Sequence, residues 1–205
     1  YSAVDGSKIT LPEAYRDWNA QFHSWGWSGG STLAISPKYV FYAVGQNGEG
    51  NNKKTFAGVA RYTLDGQAAL WKNAVCGHRL SIAKSSEAKP LGLAVRDDEL
   101  FVSLADGSRI AVFDANNMTH RRDLPVAKAG RLAVEPGGTR ALWALIGNQA
   151  TRLSHINGQK LAVIADLKKP AALAFDPRNG DLLIADNALD RVHIRRYADK
   201  TWKLS

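Results

Sequence analysis

Short apolar runs recur along this chain in a fixed order. Each of four segments opens with an apolar tripeptide, continues with a second apolar run and a third alternating run, and closes with a turn pair and a short fourth run. Alternating runs of this length, bounded by turn residues, predict β-strands. The opening tripeptides are Leu33-Ala34-Ile35, Leu93-Ala94-Val95, Leu132-Ala133-Val134 and Leu173-Ala174-Phe175.

The turn pairs support a reading of each unit as connected hairpins. Asp65-Gly66 and Asn157-Gly158 supply the positive φ values that a two-residue hairpin turn requires. The first unit is longer than the others because it carries two insertions, Gly45–Thr55 and the expected loop Cys76–Lys89. The expected fourth strands are Ala68–Trp71, Thr119–Leu124, Lys160–Ala165 and Thr201–Leu204.

The length of the repeat predicts the fold. The leading leucines of the last three units lie about 40 residues apart, and a period of about 40 with four strands per unit is typical of a propeller blade. We therefore expect an all-β protein, a β-propeller of four-stranded antiparallel blades with four blades in this chain and almost no helix after residue 30; an unrelated β-sandwich is the alternative. The expected segments are a leading segment or partial blade at 1–30 and blades at about 31–90, 91–130, 131–170 and 171–205.

Alternation along the first strands predicts which residues are buried. Side chains two positions apart lie on the same face of a strand. We therefore expect the leading leucine of each unit, and the apolar residue two positions later, to be buried between blades. These residues are Leu33, Leu93, Leu132 and Leu173, with Ile35, Val95, Val134 and Phe175.

The fourth unit resembles an NHL repeat. Ala172–Asp176 is an apolar strand ending in Asp, Asp181–Asn187 is an apolar strand ending in Ala-Asp, and Asp190–Ile194 supplies the Arg-Val strand. Leu93–Asp114 resembles the pattern more loosely, and the first and third units lose the Ala-Asp pair. The resemblance, to NHL-repeat and TolB-like six-bladed propellers, covers about residues 31–205 and implies that the chain is part of a larger, six-bladed propeller. Such propellers host many functions, so it indicates a fold rather than an activity.

Charge and cysteine content narrow the function classes. The formal net charge of +8 favours anionic partners, although a modest excess of lysine is also ordinary in a soluble protein. A single cysteine excludes a disulfide framework and a cysteine-based zinc site. No apolar run reaches the roughly 18 residues of a membrane span. Hydrolase, Walker and dinucleotide-binding motifs are absent from the sequence, so catalytic residues stay unknown.

One face of the expected propeller should be basic. In each blade the loop between the second and third strands and the connection to the next blade lie on the same face, where long loops can shape a binding site. Lysines predominate there, although a solvated loop surface is the simpler explanation. Candidate ligand-binding residues are Trp25, Trp27, Asn47, Glu49, Asn51, Asn52, His78, Arg79, Lys84, Lys128, Asn148, Lys168, Asp186 and Asn187.

Two stretches within this candidate set have distinctive chemistry. Trp25 and Trp27 alternate, so they would share a strand face suited to stacking on sugar rings or bases, or would pack in a core. The side-chain oxygens of Asn47, Glu49, Asn51 and Asn52 could bind Ca²⁺, although an EF-hand pattern is absent. We otherwise expect no cofactor and no metal.

The resulting expectation is a binding protein. We expect a non-catalytic, NHL-like propeller within a larger, secreted or periplasmic bacterial protein, with an anionic or saccharide ligand, or a protein partner, on its lysine-rich face. One alternative is a metal-dependent lactonase, other hydrolase or lyase of the six-bladed kind, for which Asn148, Asp186 and Asn187 would supply part of the metal site. The other is an RNA-binding propeller, suggested by the charge.

Overall fold

The computed structural model describes residues 32–46, 56–71, 79–83, 90–137, 141–198 and 201–204. These ranges form four antiparallel sheets of four strands each, without a helix among them. Strands that follow one another in the chain are paired, so each sheet is a meander of the blade type. The expected all-β class and the four four-stranded units are confirmed for this part of the chain.

The sheets follow one another along the chain. The first holds β1 (Leu33–Ile35), β2 (Tyr39–Gln46), β3 (Phe56–Thr63) and β4 (Arg79–Ala83). The second holds β5 (Pro90–Arg96), β6 (Glu99–Leu104), β7 (Ile110–Asp114) and β8 (His120–Leu124). The third holds β9 (Ala129–Val134), β10 (Leu142–Ile146), β11 (Gln149–Leu153) and β12 (Lys160–Ile164). The fourth holds β13 (Pro170–Phe175), β14 (Leu182–Asp186), β15 (Arg191–Ala198) and β16 (Thr201–Leu204).

Successive sheets pack face to face, and strand alternation decides which neighbour each side chain contacts. In the second sheet, Leu100 and Phe113 pack against the first sheet, whereas Phe101 and Val112, one position away, pack against the third. Trp143 of the third sheet is fully buried against Leu182 and Ile184 of the fourth. The core is therefore a series of apolar layers between sheets.

The outer strand of the first sheet departs from expectation. The prediction that Ala68–Trp71 forms this strand is wrong: Ala68 makes only an isolated bridge to Tyr62, and the ladder continues at β4. β4 lies inside Cys76–Lys89, which the sequence suggested was a loop.

Arg61 supplies a physical reason for this difference. Its side chain is 2% exposed, and its guanidinium donates hydrogen bonds to the carbonyl oxygens of Ala69 and Leu70 at 3.3 and 3.0 Å. These carbonyl oxygens therefore accept from a side chain of β3 rather than from its backbone. The backbone pairing of this segment with β3 is limited to the Tyr62–Ala68 bridge and a hydrogen bond from the Ala69 N–H to the Arg61 carbonyl oxygen, so the segment does not form the outer strand.

Polar contacts reinforce the packing between sheets, with different chemistry at different joints. Arg61 also donates to the carbonyl oxygens of Ala115 and Asn116 in the turn after β7, which joins the first sheet to the second. At the joint between the third and fourth sheets, Arg195 donates to the carboxylate of Asp166 at 2.7 Å. The acceptors are therefore carbonyl oxygens between the first and second sheets and a carboxylate between the third and fourth sheets.

The predicted burial of the leading apolar residues is confirmed only inside the series of sheets. Leu93 and Leu132 are buried at 3% and 7% exposure, but the prediction is wrong for Leu33 and Ile35, which are 56% and 62% exposed. They lie on the face of the first sheet turned away from the second, and no sheet among the described residues covers that face. The other residues of this prediction are half-buried, namely Leu173, Val95, Val134 and Phe175.

The fourth sheet has a matching uncovered face. Val192 and Ile194 are 57% and 41% exposed, while His193 and Arg195 between and beyond them are buried toward the third sheet. Within the described ranges the four sheets form an open series with two apolar end faces, not a closed ring.

This arrangement predicts different costs for the same truncation in neighbouring sheets. Leu93→Ala is expected to lower the free energy of unfolding by about 2–4 kcal/mol, because it leaves a cavity between two sheets. Leu33→Ala, at the equivalent position of the first sheet, is expected to cost less than about 1 kcal/mol, because that side chain is already half in water. Urea unfolding of both variants measures the difference, and equal losses would contradict the open end face.

Candidate functional site

The described loops of the predicted basic face lie at one edge of the sheets. They are the turns 105–109, 147–148 and 187–190 within sheets and the connections 125–128 and 165–169 between sheets. In an antiparallel meander the second and fourth strands end at the same edge, so these turns and connections share it. We call this edge the loop face and the other edge the opposite face.

Lys128 is fixed at the loop face by its backbone. Its N–H donates to the carbonyl oxygen of Gly107 at 2.7 Å, and Lys128 has a left-handed φ of 58°. This bond ties the connection before β9 to the turn after β6. The exposed side chain of Lys128 has no ion-pair partner among the residues that the structure describes.

Lys168 and Lys169 are positioned by the buried carboxylate of Asp186. Their backbone N–H groups donate to its two oxygens at 2.7 and 2.9 Å, and the N–H of Ala188 donates at 3.2 Å. Asp186 is 1% exposed, whereas both lysines are exposed. The carboxylate therefore organises the loop backbone and leaves the two ammonium groups in water, again without an ion-pair partner in the described ranges.

The surroundings of Asp186 lower its pKa. Burial alone would raise the pKa of this carboxyl, but the backbone N–H groups of Lys168, Lys169 and Ala188 outweigh burial and hold the pKa below its ordinary value. The ring of His193, itself buried, lies 3.5 Å from Asp186 and acts in the same direction. Asp186 is thus a structural anchor whose oxygens are already occupied.

The opposite face also carries many charges, and its arginines form ion pairs with neighbouring acids. Arg121 contacts the carboxylates of Asp98 and Asp114, which brings three charged side chains of the second sheet together. In the third sheet, Arg152 Nε lies 2.7 Å from Glu135. Salt bridges of this kind also include Arg122–Glu99 and Arg178–Asp176.

The structure describes six of the sequence-predicted site residues. Lys128, Asn148, Lys168 and Asn187 are exposed on the loop face, and Asp186 is buried beneath it. Arg79 begins β4, and nothing further is described of its side chain. The other candidates lie outside the described residues: Trp25, Trp27, Asn47, Glu49, Asn51, Asn52, His78 and Lys84.

The acidic, histidine and cysteine side chains of the described residues are the candidate metal ligands. No group of three or more His, Cys, Asp or Glu side chains among them is placed to hold a metal ion. Asp186, one of three residues that would supply part of the metal site in the hydrolase alternative, accepts backbone hydrogen bonds from Lys168 and Lys169. The stretch considered for Ca²⁺, at 47–52, falls outside these ranges.

A cavity of about 440 Å³ lies between the innermost strands of all four sheets. Among the described residues that line it, Arg131 is the charged one, and its guanidinium donates to the carbonyl oxygen of Leu91 at 2.9 Å. The other described lining residues are Thr32, Leu33, Leu93, Leu132, Ala171, Ala172 and Leu173.

Arg131 was not among the site residues predicted from the sequence, although the repeat contains a signal for it. Aligning the leading leucines places Arg131 at the same repeat position as Thr32, Gly92 and Ala172, all of which are small. A Cβ added at Gly92 would meet the carbonyl oxygen of Gly130 at 2.3 Å, so the innermost strands approach closely at this level. The other three units have a small residue at this repeat position. The large, charged side chain of Arg131 is therefore the signal in the sequence that could have pointed to the cavity.

Comparison with known proteins supports the fold alone. No protein-family model and no curated protein matches the sequence. The structure is similar to that of a protein of unknown function from Bacteroides caccae, with a TM-score of 0.56 and 15% identity over 88% of this chain and 61% of that one. It is also similar to Myxococcus xanthus glutaminyl cyclase, with a TM-score of 0.56 and 12% identity over 85% of this chain and 72% of that one.

A third likeness extends over the whole chain. Hydrazine synthase from Kuenenia stuttgartiensis is similar with a TM-score of 0.59 and 13% identity, over 100% of this chain and 53% of that chain. The chain therefore spans between about half and three quarters of the length of these structures. These likenesses support a propeller-like, all-β architecture for the described sheets. Among the same residues, no helix has the length and apolar character of a membrane span.

The anchoring role of Asp186 generates a prediction about acid stability. A carboxyl whose pKa is lower in the folded state stabilises the fold above its unfolded-state pKa of about 3.9, and this contribution is lost as the pH falls through the folded-state value. Asp186→Asn is expected to lower stability at pH 7 and to weaken the dependence of stability on pH below about 4. Urea unfolding at a series of pH values measures both effects.

Asp190→Asn is the matched control for this experiment, because Asp190 is exposed on the same loop. Its left-handed φ of 46° is also one that asparagine tolerates. We expect its stability curve to follow that of the unmodified chain. An Asp186→Asn curve that did so as well would contradict the anchoring role.

Proposed function

We propose that this chain is a non-catalytic, ligand-binding part of a propeller and that its loop face binds an anionic ligand, such as an acidic saccharide. The supporting observation is the unequal pairing of charges at the two edges of the sheets. Lysines on the loop face have no ion-pair partners among the described residues, whereas arginines on the opposite face form ion pairs with neighbouring acids. The unpaired lysines of the loop face therefore favour a negatively charged ligand there.

The loop backbone supports this proposal because it holds three lysines in fixed places. Lys128 is tied to Gly107, and Lys168 and Lys169 are tied to Asp186. A fixed backbone lowers the entropy that a loop loses when it binds. Each exposed lysine contributes about 1 kcal/mol or less, so affinity would come from the group.

We also propose that the chain is part of a larger, NHL-like propeller with six blades. Leu33 and Ile35 at one end, and Val192 and Ile194 at the other, occupy strand positions whose equivalents inside the series are covered by a neighbouring sheet. Additional blades would cover both end faces. An open apolar sheet face is otherwise prone to association.

We further propose that the protein is bacterial and is either secreted or periplasmic. The proposed ligand class carries this part of the proposal, because acidic polysaccharides are abundant at and beyond the cell surface. An RNA ligand would favour a different compartment, so the binding experiment below also tests this choice.

The test uses heparin, a sulfated polysaccharide, as the anionic probe. Changing Lys128, Lys168 and Lys169 together to Glu is expected to weaken heparin binding by about a hundredfold, because three attractive contacts become repulsive. Titration calorimetry at low ionic strength measures the affinity, and added salt is expected to reduce it.

The control changes the same number of charges on the opposite face. Lys38, Arg178 and Arg196 are exposed there, and their combined change to Glu alters the net charge equally. Heparin binding is expected to fall by less than about threefold in this variant. Equal losses in both variants would overturn the face assignment. Binding of neutral dextran would show that charge is not recognised, and tighter binding of single-stranded RNA would favour the RNA alternative.

The larger propeller has its own test, in which Leu33→Lys is combined with Val192→Lys. In the 205-residue chain this pair is expected to leave the unfolding temperature nearly unchanged, because both side chains are more than half exposed. In a longer form of the protein that contains the covering blades, it is expected to lower that temperature, because a covered lysine loses its water. Calorimetry of both forms decides, and an unchanged temperature in the longer form would contradict the proposal.

A further inference from the structure

Four non-glycine residues in the described part of the chain have a left-handed φ, a conformation that residues with a Cβ rarely adopt. They are Asp97, Met118, Lys128 and Asp190, with φ values of 49°, 60°, 58° and 46°. This conformation costs an ordinary L-residue free energy that glycine avoids. Because such outliers cluster at functional sites, each one needs a reason in the fold or in the function.

Three of the four have a reason within the fold. Met118 is 3% exposed and packs in the apolar layer between the first and second sheets. Asp97 and Asp190 belong to a residue type that tolerates the left-handed region, because a short polar side chain can bond to the nearby backbone. Asp97 also pairs with Arg96 at 3.3 Å. The conformations of these three residues therefore need no ligand to explain them.

Lys128 is the exception. Its side chain is exposed, has no oxygen that could bond to the nearby backbone and has no ion-pair partner in the described ranges. The fold uses its backbone, since the N–H of Lys128 donates to the carbonyl oxygen of Gly107 at 2.7 Å. Glycine at this position would make the same hydrogen bond without the unfavourable φ.

The contacts of the Lys128 stem do not explain the choice of lysine either. A Cβ added at Gly107 would lie 3.6 Å from Cγ of Lys128, an ordinary van der Waals distance, so the stem passes beside this glycine. Glutamine has the same Cβ and Cγ and would keep this contact. The ammonium group is therefore the part of Lys128 that the fold itself does not use.

We propose that Lys128 is the principal ligand contact of the loop face, and that its ammonium group binds the anionic ligand at the expense of the stability of the fold. This inference rests on the proposed function, because it identifies the residue of that face on which affinity depends most. Lys168 and Lys169 lie on the same face without a left-handed φ. The fold gives up no stability to hold them, and they contribute less to binding than Lys128 does.

The experiment measures heparin affinity by titration calorimetry and the unfolding temperature by scanning calorimetry, on the same variants of the 205-residue chain. Lys128→Gly removes both the ammonium group and the unfavourable φ. It is expected to weaken heparin binding about fivefold and to raise the unfolding temperature by about 2 °C. Lys128→Gln removes the ammonium group alone, so it is expected to weaken binding equally and to leave the unfolding temperature unchanged.

Lys168 provides the matched controls, because it is an exposed lysine of the same face with an ordinary φ. Lys168→Gly is expected to lower the unfolding temperature, because glycine adds freedom to the unfolded chain and relieves no strain. Lys168→Gln is expected to weaken heparin binding by less than about twofold. Lys38→Gln, on the opposite face, is expected to change neither measurement.

The outcomes separate this inference from the proposed function. Equal losses of heparin affinity in Lys128→Gln and Lys168→Gln would overturn the principal role of Lys128 and leave the anion-binding face intact. A lower unfolding temperature in Lys128→Gly would also overturn it, because lysine would then stabilise this position. Heparin binding that is unchanged after Lys128, Lys168 and Lys169 are all replaced by Glu would overturn the proposed function itself.

Discussion

Face-to-face packing of successive sheets is the constraint on which the rest of this structure depends. Because strand side chains alternate, each inner sheet contributes to two apolar layers, as Leu100 and Phe101 of β6 do. This packing brings the innermost strands together closely enough that only glycine fits at position 92. It also directs all turns to two edges, so the fold separates the loop face from the opposite face before any ligand chemistry is considered.

The charged side chains have different structural roles at the two edges of the sheets. On the opposite face, pairs such as Arg152 and Glu135 connect strands within a sheet, and their exposed members gain little beyond local order. On the loop face, the buried carboxylate of Asp186 is used to shape backbone, which leaves Lys168 and Lys169 directed to solvent. A single acid therefore fixes the loop without neutralising its side chains.

Much of the fold was predictable because it is periodic: the four opening tripeptides all lie in the first strands of the described sheets, whereas β4 lies in a segment that the sequence suggested was a loop. The expected strand at Ala68–Trp71 does not form because the side chain of Arg61, on the neighbouring strand, donates hydrogen bonds to the carbonyl oxygens of Ala69 and Leu70. Leu33 was misplaced because alternation identifies a face but not whether another sheet covers it. In the candidate site, the lysines follow from loop position, whereas the anchoring role of Asp186 and the cavity position of Arg131 depend on tertiary contacts.

Arg61 has a consequence for how the series of sheets comes apart in acid. It joins the first sheet to the second through carbonyl oxygens, which do not titrate, and a guanidinium keeps its proton throughout. The joint between the third and fourth sheets instead relies on the carboxylate of Asp166, which loses its attraction for Arg195 once it is protonated. Protonation of Asp166 in acid therefore weakens a contact between the third and fourth sheets, whereas the contacts of Arg61 between the first and second sheets do not depend on a titrating acid.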